Sequence, residues 1–208
     1  MLTMATKIGR WTAWSLAALL SVAVALFSYR YLLHGPLLSP NVLANLFSRP
    51  WLGLHVAGAA TALLLGSFQF IPQLRSRWPG GHRWTGRVYA VGCLVGGVGG
   101  LMLALGSTAG PVATAGFGGL GVAWIITTTL GWRAATRRRL VEHRRWMVRS
   151  WALTLAAVTL RLYMLAPGMS SLDAYRAISF LCWVPNLVAA EIYLRGSVRE
   201  PRPSTSSG

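Results

Sequence analysis

Negative charge is what this chain has least of. Its 208 residues include four acids, Glu142, Asp173, Glu191 and Glu200, against twenty bases, nineteen of them arginine, for a net charge of +16. Charged residues of either sign make up only 12% of the sequence, where a soluble domain has roughly 25%. That scarcity excludes an ordinary water-soluble domain, and 54% hydrophobic residues exclude a disordered chain. Cysteine is nearly absent too. Cys93 and Cys182 fall inside apolar stretches, so they report neither a disulfide framework nor a metal-ligand spacing. The sequence also lacks a P-loop, an H-E-x-x-H helix and a G-x-S-x-G elbow, which leaves nucleotide-driven and hydrolytic chemistry without support.

What the chain has instead is long apolar runs, at 11–33, 51–71, 88–107, 112–132, 146–166 and 174–194. A helix of about 20 residues, rising 1.5 Å per residue, crosses a hydrocarbon core of about 30 Å. The expected fold is therefore all-α, a polytopic membrane bundle of six transmembrane helices. A short N-terminus (1–10) precedes one helical domain (11–195), and a polar, basic, disordered tail (196–208) follows it. Lys7 and Arg10 followed by Ala23-Val24-Ala25 resemble a secretory signal. The first apolar run exceeds the 7–15 residues of such a signal, so it is read as an uncleaved helix.

The bases fall between the runs. With the N-terminus inside, fifteen lie in inner connections and three, Arg30, Arg49 and Arg176, in outer ones. By the positive-inside rule this places both termini in the cytoplasm, in a membrane of bacterial inner-membrane type. The basicity thus belongs to loops and not to a nucleic-acid-binding face. The expected partners are the bilayer and anionic lipids of its inner face. Arg149 and Arg161 are the exceptions, because they lie within the fifth run.

Small and polar residues at helical spacing mark faces that pack on other helices. His55, Ala59, Ala62, Gly66 and Gln69 form one such stripe, and Gly92, Gly96 and Gly100 another. Faces of this kind also serve helix-packing oligomers. Gly116-Phe-Gly-Gly-Leu-Gly121 fits G-x-G-x-x-G, but it sits in an apolar run with no preceding strand, which excludes the dinucleotide reading. Ser150, Thr154 and Arg161 share a face that is expected to look into the bundle. His55 and Asp173 are expected near the depth of Arg161.

Two candidate sites follow. An outer polar cavity would be lined by His55, Arg161, Tyr163 and Asn186, and would take an anionic or quinone-like small molecule. An inner polar cluster would gather Gln69, His82, Arg83, Arg87, His143, Arg149 and Glu191, with Glu191 neutralising Arg149 or Arg145.

His82-Arg83-Trp84-Thr85-Gly86-Arg87 and His143-Arg144-Arg145-Trp146-Met147-Val148-Arg149 echo each other ahead of the third and fifth runs. With Gly66-Ser-Phe-Gln-Phe-Ile-Pro72, Arg75 and Arg161-Leu-Tyr163, these stretches make residues 51–166 resemble a family of predicted membrane proteins, domain of unknown function 2306. The resemblance implies an integral membrane domain and brings no activity.

The functional readings that stay open are a small-molecule binder or transporter, an electron carrier and a non-catalytic scaffold. In the second, His82 and His143 ligate haem b and arginines meet its propionates. The flanking arginines argue against it, as does the placing of both histidines in loop or headgroup zones. Nothing in the sequence marks the chain as an enzyme.

Overall fold

The computed structural model describes residues 4–33, 44–169 and 171–198. Among these residues the fold is all-helical. Its helices are α1 (Met4–Leu33), α2 (Ser48–Gln69), α3 (Pro72–Arg77), α4 (Pro79–Leu105), α5 (Pro111–Thr136), α6 (Leu140–Thr154), α7 (Ala156–Met164), α8 (Leu172–Leu181) and α9 (Val184–Val198). Most of the expected N-terminal segment, from Met4 onward, is therefore already helical. The expected tail lies, beyond residue 198, outside the described residues.

Five stretches are long and apolar enough to cross a membrane: Trp11–Leu32, Ser48–Gln69, Pro79–Leu105, Pro111–Thr136 and Leu172–Gly196. The fifth expected run, 146–166, is not among them. Arg149 and Arg161 lower its hydropathy, and it divides at Leu155 into α6 and α7. Thr154 Oγ1, immediately before the division, donates back to Ser150 O at 2.9 Å, a bond that bends helices.

Two helices start earlier than the apolar runs suggested. Proline at the first turn, where its missing N–H is not needed, opens α4 at Pro79. His82, Arg83 and Arg87 are consequently helical residues and not loop residues. His143 is helical for a parallel reason, since α6 begins at Leu140. At 27 residues α4 is about 40 Å long, so it outruns the hydrocarbon layer.

Close packing of α2 on α4 organises the bundle. A Cβ on Gly58 would lie 2.5 Å from Gly96 N, and one on Gly96 2.7 Å from Ala59 N. Only glycine permits this backbone contact. The small-residue stripes of α2 and α4 therefore face each other, as their spacing predicts. Ala62, Tyr89, Cys93, Trp124 and Leu153 form the central core across α2, α4, α5 and α6. Helix α1 docks through Ala25 against Ala60, Leu63 and Val158, and Tyr29 and Thr61 share a hydroxyl hydrogen bond of 2.8 Å. Gly116 and Gly121 are packing positions inside α5, against Ser179 and against Leu101 and Gly97 respectively.

Candidate functional site

The four residues of the expected outer cavity are each engaged in holding helices together. The Nδ1 atom of His55 lies 2.8 Å from Gly96 O on α4, with Gly100 leaving room for the ring. Arg161 donates from Nη1 to Ala157 O at 2.9 Å and from Nη2 to Ser28 Oγ at 2.8 Å, so it ties α7 to α1. Tyr163 packs on the cluster of Ala156, Ile178 and Cys182. Asp173 pairs with Arg176 at 2.9 Å and not with Arg161.

Asn186 spans two helix breaks at once. Its Nδ2 atom lies 2.9 Å from Thr159 Oγ1, 3.1 Å from Cys182 O and 3.3 Å from Ala152 O. Cys182 O sits at the junction of α8 and α9, and Ala152 O just before the break at Leu155. A side chain set against the carbonyl ladder is a recognised cause of a kink.

At the bundle centre lies a group that the sequence reading met only in part. The Tyr89 hydroxyl is 2.9 Å from Ser150 Oγ and 3.0 Å from Thr154 Oγ1. Thr128 Oγ1 is 2.8 Å from Ser150 Oγ, and Trp124 Nε1 donates to Thr154 Oγ1 at 2.9 Å. All five residues are buried. Ser150 and Thr154 do face inward as their spacing predicts. Tyr89, Trp124 and Thr128 complete the group, and the hydroxyls at 127–129 within an apolar run are its signal in the sequence. Each hydroxyl has a partner inside the group, so it joins α4, α5 and α6 and presents no free donor to a ligand.

The arginine-rich end holds the second group of expected residues. Arg149 forms a forked pair with Glu191, Nη2 to Oε2 at 2.9 Å and Nε to Oε1, as the sequence anticipated. The fork fixes the guanidinium plane and leaves Nη1 over. The same guanidinium lies 4.8 Å from the centroid of the Trp146 ring, a cation–π contact that narrows its freedom further. Around this pair opens a cleft of about 370 Å³ between α6 and α9, lined by Glu142, Arg145, Trp146, Arg149, Glu191, Leu194 and Arg195. Arg145, Arg195 and Trp146 belong to this site, and of these the sequence predicts only Arg145, as a partner for Glu191.

The remaining inner residues lie apart from that cleft. Gln69 donates to Thr85 Oγ1 at 2.7 Å and fastens the end of α2 to the start of α4, while Arg83 and Arg87 are exposed. His82 and His143 are each the fourth residue of their helices, α4 and α6, which gives the sequence echo a structural counterpart. His82 is within electrostatic reach of His143 and Arg75, and its Nδ1 atom is buried without a partner. His143 Nδ1 lies 2.9 Å from Gly131 O on α5. That bond would leave Nε2 for a metal, and neither histidine lines the cleft between α6 and α9. No group of three or more His, Cys, Asp or Glu gathers for a metal among the described residues.

Residues 52–194 match the model of a family described as predicted membrane protein (DUF2306). The match covers well over half of the chain, and the protein belongs to that family. No curated protein and no solved structure matches the chain.

Proposed function

We propose that this protein is a six-crossing membrane protein that binds an anionic molecule in the cleft between α6 and α9. In this reading α6 and α7 together make the fifth crossing as a broken helix. The arginine-rich end faces the cytoplasm of a bacterial-type inner membrane, and anionic lipids are its natural surroundings. The distribution of the bases supports that orientation, with fifteen of twenty in connections at one end.

One observation carries the binding reading. Arg145, Arg149 and Arg195 line the cleft, and Arg149 is already held in a forked pair by Glu191. A guanidinium fixed in this way is a preorganised donor, and the two further arginines add charge that, among the described residues, forms no ion pair. Trp146 and Leu194 supply the apolar part of the wall, which suits an amphiphile better than a bare ion.

The test is thermal unfolding of the protein in neutral detergent, with and without dodecyl phosphate. The amphiphile is expected to raise the unfolding midpoint of the native protein and to raise that of Arg145→Gln/Arg195→Gln by clearly less. An equal rise in both proteins, or none in either, overturns the reading.

A further inference from the structure

We infer that the cleft and a second opening beside it form one composite site for a lipid carrying two phosphate groups, one seated on each side of Trp146. This rests on the anion-binding reading above and adds the class of ligand.

The second opening, of about 180 Å³, is lined by Arg133, Arg137 and Arg139 together with Leu130, Ala134, Glu142 and Trp146. Glu142 and Trp146 line both openings. The two are therefore neighbours, with Glu142 and Trp146 as the partition they share.

The charges divide evenly across that partition. Three arginines line the larger cleft and three the smaller, and the acids of both are Glu142 and Glu191. Glu191 is taken by Arg149, and Glu142 lies 3.5 Å from Arg139. Among the described residues this leaves Arg145 and Arg195 on one side and Arg133 and Arg137 on the other without an ion pair of their own, Arg195 lying within electrostatic reach of the Glu191 already taken by Arg149. A single small anion satisfies one side only. Two phosphates joined by a short bridge satisfy both, and the linkage makes the second contact intramolecular at high effective concentration.

The surroundings favour a lipid over a soluble diphosphate. Leu130 and Leu194 lie in the two walls, and Leu140 and Val141, on the first turn of α6, are 70% and 68% exposed. Apolar surface next to paired basic openings at the end of a bundle is what a bridged bis-phosphate headgroup with acyl chains would meet. Water-soluble diphosphates have no use for it.

The experiment places the full chain in phosphatidylcholine nanodiscs and titrates three probes. These are diphosphatidylglycerol, phosphatidylglycerol at twice the molar amount so that charge is equal, and inorganic pyrophosphate in the buffer. Diphosphatidylglycerol should raise the unfolding midpoint more than phosphatidylglycerol does. Arg145→Gln/Arg195→Gln and Arg133→Gln/Arg137→Gln should each weaken its apparent affinity by about tenfold while keeping the native midpoint in pure phosphatidylcholine.

Equal shifts from the two anionic lipids overturn the two-phosphate inference while leaving the anion-binding reading intact. A shift from pyrophosphate as large as that from diphosphatidylglycerol overturns the choice of a lipid. No shift from any of the three means that the anion-binding reading itself has failed.

Discussion

The Nδ2 atom of Asn186 lies 3.3 Å from the carbonyl oxygen of Ala152. That oxygen belongs to the last full turn of α6, before the break at Leu155, and the same amide reaches Cys182 O at the break between α8 and α9. One half-buried side chain thus holds two interrupted helices in register. Unpaired carbonyls are costly away from water, which gives a direct prediction. Asn186→Leu is expected to lower stability by about 1–2 kcal/mol, measured by reversible denaturant unfolding in detergent micelles. An unchanged midpoint would mean that the breaks are held by packing alone.

Topology is tested at two positions. A reporter fused after Arg139 should be active only in the cytoplasm, and one fused after Gly168 only on the other side of the membrane. The pair tests whether α6 and α7 cross between them. Reporters that agree in location would remove the sixth crossing.

The approach of α2 to α4 predicts a contrast between two glycines. Gly96→Ala places a Cβ 2.7 Å from the backbone nitrogen of Ala59 and should cost about 1–3 kcal/mol through overpacking. Gly53→Ala, on α2, meets nothing within 4 Å and should be neutral or gain up to about 1 kcal/mol from helix propensity. Thermal unfolding of the two variants beside the native protein separates close approach from a general intolerance of substitution.

The histidine pair predicts a spectrum. Protein purified from haem-supplemented cells is expected to be colourless, because His82 and His143 line neither cleft. A Soret band lost in His143→Ala would replace the anion-binding reading with an electron-transfer one.

Much of the fold was legible because a membrane imposes few and strong rules. An apolar run of sufficient length becomes a helix, since lipid leaves the backbone no other way to satisfy its hydrogen bonds. The glycine stripe of α4 was readable for a related reason: in lipid, close backbone approach is a main source of helix affinity. Even the Arg149–Glu191 pair could be anticipated, because Glu191 is the only acid well inside an apolar run.

The outer candidates show where such reading stops. His55, Arg161 and Asn186 were singled out as polar residues in apolar segments, and sequence has no means of telling a ligand contact from a hydrogen bond to a neighbouring helix. Their partners at Gly96, Ser28 and Cys182 depend on helix rotation and crossing angle. The boundaries of α4 and α6 moved for a local reason. Polar residues lower hydropathy without ending a helix, so His82 and His143 continue helices that the apolar runs had seemed to end.

The sequence by itself determined that this is a helical membrane protein with its arginines gathered at one end, because solvent preference and charge asymmetry act on the residues of each segment independently. Tertiary structure decided which arginines matter. Arg161 is absorbed by Ser28 and Ala157 O, whereas Arg149 is forked to Glu191 beside a cleft where, among the described residues, Arg145 and Arg195 form no ion pair. That difference depends on which helices become neighbours, and in lipid the choice of neighbour rests on close fit between whole surfaces, which no single segment encodes.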